Sequence, residues 1–162
     1  MNYILDANVF IQAHRFYYPF DLFPGFWNWL KQENKKKSIG TIDWVYNEIK
    51  TGNDQLFDWM KNLDFDQWVL KCDDEQTQAH YADIANQVME DTHYTQQAKD
   101  LFLSRADSWL IAKVRALGIT LVTEERSNPQ KRNQIFIPDI CKKYNIPCIN
   151  TIGLIRKLGG HF

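Results

Sequence analysis

The stretch Tyr3-Ile4-Leu5-Asp6-Ala7-Asn8 sets the terms for the rest of the chain. Three apolar residues read as a short buried strand. An acid follows at once, and Asn8-Val9-Phe10-Ile11 turns the pattern toward helix. A carboxylate in that position stands at the carboxyl edge of a sheet, where open α/β sheets place their ligands.

The remainder repeats the alternation. Helical patterns are expected over residues 7–14, from Pro24 to about Asn34, up to Lys50, and over 54–63, 73–90, 96–103, 107–117 and 138–143. Thr41 or Asp43 is expected to cap the helix ending at Lys50, and Thr151 a terminal one. Short apolar runs stand between them. Ser38-Ile39-Gly40, Ile119 to Thr123 and Ile146 to Ile149 read as strands, Trp68-Val69-Leu70 as strand or buried loop, and Ile135-Phe136-Ile137 as ambiguous. Strands alternating with longer helices point to an α/β fold, a mostly parallel sheet wrapped by helices. At 162 residues, with no repeat and no linker, one domain spanning 1–162 is expected.

Composition excludes several classes. Hydrophobic residues at 44% and charged residues at 24% describe a globular protein. Three cysteines without a C-x-x-C pair, and four histidines without metal-ligand spacing, argue against a disulfide framework or a zinc site. No apolar run approaches the ~18 residues that span a bilayer, and the N-terminus carries no signal-peptide pattern. A cytoplasmic location and no membrane partner are expected. A net charge of −1 is no recommendation for a nucleic-acid binder, although a metal-holding carboxylate cluster would offset basic residues elsewhere. The aromatic segment from Phe16 to Trp29 is expected to be mainly core packing; a partner surface or a base-stacking platform is the sharper alternative.

The acids carry the chemistry. Asp6 ends the first strand, although an acid there also suits a helix N-cap. Glu48 borders the apolar face of its helix. Asp107 lies in the first turn of Ala106-Asp107-Ser108-Trp109-Leu110-Ile111-Ala112, on the inward stripe, where capping is again the plainer role. Glu124 and Glu125 follow the strong strand and must point in different directions, so charge alone does not choose between them. Asp139 is a further candidate, with capping as its stronger reading. Two unit charges about 5 Å apart repel by roughly 3 kcal/mol at an effective dielectric near 20. A cluster of such acids must protonate, spread apart or bind a hard cation. Oxygen donors without histidine or thiolate select Mg²⁺ or Mn²⁺, and such an ion suits phosphodiester hydrolysis. Arg105, Lys113, Arg126, Lys131 and Arg132 are candidate phosphate contacts, each with surface solvation as the plainer role.

Taken together, Ile4-Leu5-Asp6-Ala7-Asn8, Glu48 on a mid-chain helix, the Asp107 helix start and Leu121-Val122-Thr123-Glu124-Glu125 resemble the PIN-domain nucleases in order and separation across nearly the whole chain. The resemblance implies a Rossmann-like three-layer sandwich with about five parallel strands. It implies a Mg²⁺- or Mn²⁺-dependent endoribonuclease in which Asp6, Glu48, Asp107 and Glu125 are catalytic and metal-binding. Asn8, Thr123 and Glu124 would support them, and Arg105, Arg126, Lys131 and Arg132 would contact RNA. The family commonly has Thr-x-Asp where this chain has Thr123-Glu124-Glu125. Small bacterial members are often toxins of the VapC type, which implies an inhibitory antitoxin partner and a possible homodimer. A catalytically degenerate RNA- or protein-binding module is the alternative.

Overall fold

A computed structural model describes residues 1–162. Its centre is β1 (Tyr3–Leu5). On one side of β1 lie β2 (Ile39–Ile42) and β3 (Val69–Leu70); on the other lie β4 (Thr120–Val122) and β5 (Cys148–Ile149). The order is β3-β2-β1-β4-β5 and every pairing is parallel. All four residues of β2 are buried, as are Ile4, Leu5, Leu121 and Val122. A strand buried at consecutive positions is covered on both faces, as parallel sheets require. The three-layer α/β architecture expected from the sequence is therefore present.

The winding positions the site. The chain builds outward from β1 to β3, then returns to β1 and builds outward through β4 and β5. The reversal leaves the carboxyl ends of β1 and β4 side by side, with Leu5 opposite Val122. That is the topological switch point, the crevice in which open α/β sheets hold ligands.

Helix α1 (Ala7–Gln12) runs on into a π turn over Ala13–Tyr17, closed by the Tyr18 N–H donating to the Ala13 carbonyl at 2.7 Å. Then come α2 (Pro24–Lys35), α3 (Asp43–Gly52), α4 (Gln55–Lys61), α5 (Phe65–Trp68), α6 (Glu75–Glu90), α7 (Gln96–Ser104), α8 (Ala106–Leu117), α9 (Ile137–Lys143) and α10 (Thr151–Leu158). Asp54, Asp74 and Thr95 cap α4, α6 and α7 with side-chain oxygens. Asn53 and Gly118 end α3 and α8 in the left-handed conformation, φ 45° and 65°. No helix is long and apolar enough to cross a membrane.

Several local expectations change. Strand β2 extends to Ile42, so Thr41 is a buried strand residue and no cap. Its hydroxyl donates to the Leu5 carbonyl at 2.7 Å and ties β2 to the end of β1. The cap of α10 is Asn150, which accepts the Gly153 N–H, and Thr151 is the first helical residue. Phe65 to Trp68 makes one short helix behind its cap Asp64, so Trp68, expected in strand or loop, ends a helix and the strand begins at Val69. Gly40 earns its place in β2: a Cβ there would stand 2.9 Å from the Trp68 carbonyl oxygen.

The aromatic segment divides. Phe26, Trp27 and Trp29 are core residues, and the Trp27 indole donates to the Tyr18 carbonyl at 2.7 Å. Phe162 packs edge-on against Tyr18, Phe26 and Trp29, sealing this corner with the last residue of the sequence. Phe16 and Tyr17 on the π turn, by contrast, are 70% and 57% exposed.

Candidate functional site

Asp6 leaves β1 at the switch point and is buried, at 3% exposure. It occupies the N-cap position of α1, yet its side chain makes no capping bond. The carboxylate turns instead toward β4 and accepts the Thr123 hydroxyl at 2.8 Å. Thr123 in turn accepts from the Asn8 amide at 3.1 Å and from the Glu125 N–H at 3.1 Å. Asn8 closes the circuit by accepting the Glu124 N–H at 2.9 Å. One threonine hydroxyl thus joins the ends of both switch-point strands, and Asn8 and Thr123 hold the turn after β4 in place.

That turn separates the two glutamates. Glu124 points toward the start of α10, where its Oε1 accepts the Thr151 N–H at 2.8 Å. Glu125 points the opposite way, and its Oε2 accepts the Ile137 N–H at the start of α9, 2.7 Å away. Glu125 is the one beside the other acids. With Asp107 and Arg105 it lines a cavity of about 60 Å³, closed by Phe102, Gln134 and Ile135.

Asp107 is the second residue of α8 and leaves the cap position to Arg105, whose side chain makes no capping bond. Burial pushes its carboxyl up to about 7, with Glu125 and then Glu48 adding to the rise and Arg105 opposing it. Burial likewise raises Asp6 well above the ordinary carboxylate range. Asp107 adds most to this, the Thr123 hydroxyl works against it, and Glu125 and Glu48 add smaller increments. Glu125 is raised by burial and by Asp139 and Glu48, against its bond from Ile137. Glu48, on α3, is solvent-exposed, as a residue at the border of its helix's apolar face can be. Partial desolvation raises it and Arg105 lowers it, so it is the outermost member of the group. Four acids from four elements (the ends of β1 and β4, and helices α3 and α8) therefore act on one another across the switch point.

Asp139 acts on that group through Glu125 alone, and it is no cap. Phe136 holds the cap position of α9. Asp139 is buried and accepts the Ser127 hydroxyl at 2.5 Å and the Asn128 N–H at 3.0 Å, clasping the loop after β4. Nothing in the local spacing signalled this, because its partners come from a segment without pattern.

The candidate basic residues scatter. Arg105 stands over the acids. Lys113 is buried and donates to Asp74 at 2.6 Å and to the Lys71 carbonyl at 2.8 Å, which removes it from the phosphate-binding candidates. Arg132 donates through Nε to the His93 carbonyl and Lys131 to Gln134. Arg126 is exposed and lines a second, larger cavity with Glu124. No local spacing signals the stack in which Trp109, two residues past Asp107, lies between Tyr81 (3.9 Å) and Trp44 (5.4 Å). It braces α3, α6 and α8, which carry two of the acids.

In donor chemistry the group suits a hard divalent cation: carboxylate oxygens only, desolvated and mutually repelling. It is an electrostatically coupled set and not a ready-made cage, since no three of the acids stand close enough to form one.

Fold and site together define a doubly wound α/β domain with an acidic crevice at its switch point. The chain belongs to the family described as "Domain of unknown function (DUF4411)", whose model matches residues 3–162. No curated protein matches it significantly. Among solved structures it is similar to a chain in the crystal structure of VapBC2 from Rickettsia felis bound to a DNA fragment from their promoter. The TM-score is 0.56 at 14% identity, covering 93% of this chain and 98% of that one. That likeness is one of fold, and it agrees with the parallel five-stranded sheet flanked by helices.

Proposed function

We propose that this protein is a metal-dependent endoribonuclease of the PIN type, acting as the toxin of a pair whose second member is an inhibitory protein. The observation that carries the reading is the buried Asp6 carboxyl, raised by burial and by three further acids, at the point where β1 and β4 part. Burying like charges together is costly unless a cation or protons offset them, and a ligand-binding crevice is where that cost has a use.

Asp6, Asp107 and Glu125, with Glu48 at the rim, would hold the ion. A bound Mg²⁺ or Mn²⁺ supplies Lewis-acid polarisation of a phosphodiester and a more acidic water. The protein's own part is positional. Thr123 orients Asp6 by its hydrogen bond. The Ile137 N–H fixes one oxygen of Glu125 and leaves the other without a hydrogen-bond partner. Arg105, paired with no carboxylate oxygen, is placed to meet an RNA phosphate. The inhibitory partner rests on the likeness to VapBC2 and on the sequence resemblance to small bacterial PIN proteins.

The second reading, a binding module without catalysis, is favoured by one observation: the acids are not preassembled. Incubating end-labelled total RNA and tRNA with Mn²⁺ separates the two. Cleavage by the wild type that disappears in both Asp6→Asn and Asp107→Asn is the expected outcome. Wild-type inactivity with Mn²⁺ bound, or equal cleavage by all three proteins, would reject the catalytic reading.

A further inference from the structure

The acids occupy one side of the turn after β4. On its other side, walled by Glu124, is a concavity of about 320 Å³ that the proposed chemistry does not use. Ligand pockets begin at about 300 Å³, enough for one nucleotide. Its walls come from three places: Ala13, Tyr17 and Tyr18 of the π turn, Glu124 and Arg126 of the loop after β4, and Asn150 to Ile152 at the start of α10. Widened helical turns of this kind recur at functional sites. Here the π turn brings Tyr17, 57% exposed, to the cavity, while Ile152 is 44% exposed.

The polar groups in the cavity have bonding capacity to spare. Glu124 commits Oε1 to the Thr151 N–H, and its Oε2 accepts nothing. Asn150 commits its carbonyl oxygen to the Gly153 N–H, and its amide N–H₂ donates to nothing. Arg126 has neither an ion pair nor a hydrogen bond, and it is exposed. An accessible ring, a free carboxylate oxygen, a free amide donor and a free guanidinium therefore share one pocket beside the acidic crevice.

We propose that this cavity is a nucleotide subsite that takes one base of a single-stranded RNA, guanine in preference, next to the bond cleaved at the acids. The inference deepens the ribonuclease reading and rests on it. Stacking on Tyr17 holds any base, because every base has a π face. The edge selects. The Glu124 carboxylate can accept from the N1–H and the exocyclic amine of guanine together, through the free Oε2 and the second lone pair of Oε1, whereas uracil offers it a single N–H. The Asn150 amide is available to a ring carbonyl. Arg126 takes the phosphate, at the end of the pocket nearer the loop that also carries Glu125.

The test is titration of GMP, UMP and inorganic phosphate onto the full chain in EDTA, followed by NMR. EDTA keeps divalent ions from bridging phosphate to the carboxylates. GMP is expected to bind saturably and more tightly than UMP, and inorganic phosphate to bind far more weakly than either. Tyr17→Ala should weaken GMP about tenfold, and Tyr17→Phe, which keeps the ring, should leave it near wild type. Glu124→Gln should bring GMP down to the level of UMP. Arg126→Gln should weaken GMP but not guanosine. Tyr17 and Arg126 are exposed, so these variants keep the fold, and circular dichroism verifies it. Absence of saturable GMP binding, or GMP affinity unmoved by both Tyr17→Ala and Arg126→Gln, would overturn the proposal. No step of the measurement needs turnover. RNA cleavage by a chain that binds no GMP rejects the subsite alone; GMP binding of the expected pattern by a chain that cleaves no RNA upholds the pocket and rejects the nuclease.

Discussion

In the absence of divalent ions, the protein should lose stability as pH rises from about 4 to about 7, and Asp107→Asn should abolish most of that loss. The folded-state carboxyl of Asp107 is raised from 3.8 to about 7. Below pH 4 both folded and unfolded chains hold the proton, and the residue contributes no pH dependence. Between the two values the unfolded chain releases it while the folded chain keeps it, so stability falls. Above about 7 both are ionised and the penalty is constant. Three pKa units correspond to about 4 kcal/mol. Asp107 is partly open to solvent, which brings the expected loss down to about 2–4 kcal/mol. Urea melts in EDTA at about pH 5 and about pH 8 measure it. Part of the loss already falls below pH 5, so wild type should be less stable at the higher pH by about 1–3 kcal/mol, and Asp107→Asn should show a much smaller difference. Asparagine also relieves Asp6, so the variant should be the more stable protein at the higher pH. A wild-type stability that is flat or rising over this window, or an unchanged slope in Asp107→Asn, would refute the claim that these acids are forced together by the fold.

Thr123→Val removes the hydroxyl that serves Asp6, Asn8 and the Glu125 N–H; denaturation in EDTA should show a loss of about 1–3 kcal/mol, largely restored in Thr123→Ser. Glu125→Gln should lower the Asp107 pKa in an NMR titration of its carboxyl carbon, whereas Glu124→Gln should leave it in place, because, of these two adjacent residues, it is Glu125 that acts on Asp107. Asp139→Ala should release the loop after β4 from its bonds to Ser127 and Asn128, costing about 1–3 kcal/mol and speeding tryptic cleavage at Arg126, Lys131 and Arg132.

Much of the frame was legible in the sequence because it rests on period and length. Tyr3 to Leu5 and Thr120 to Val122 are apolar runs with no other plausible use, and α8 shows its stripe plainly. Asp6, Asp107, Glu124 and Glu125 were legible as candidates because each follows a strand or opens a helix, and Glu48 because it borders an apolar helix face. Their roles were not. Asp6 and Asp107 look like helix caps, and only the structure shows that neither caps. Glu124 and Glu125 differ by one position, and the turn that sends them to opposite sides is fixed by Thr123 beside them and by Asn8 of α1, far away in sequence. Lys113 looked like a surface cation because its partners, Asp74 and Lys71, lie some forty residues upstream. Thr41 resembled a cap because strand and cap share β-branched hydroxyl residues, and its partner is the end of β1. In each case the missing information was a long-range contact. Residue type and spacing do not encode such contacts.

The proposed nuclease requires that the four acids take up one hard cation. Isothermal titration of Mn²⁺ into the metal-free protein near neutral pH, with wild type beside Asp6→Asn, measures that directly. The structure leads us to expect saturable binding by the wild type with release of protons from the raised carboxyls, and loss of that binding in Asp6→Asn. Heat indistinguishable from dilution in the wild type, or equal uptake by both proteins, would contradict it.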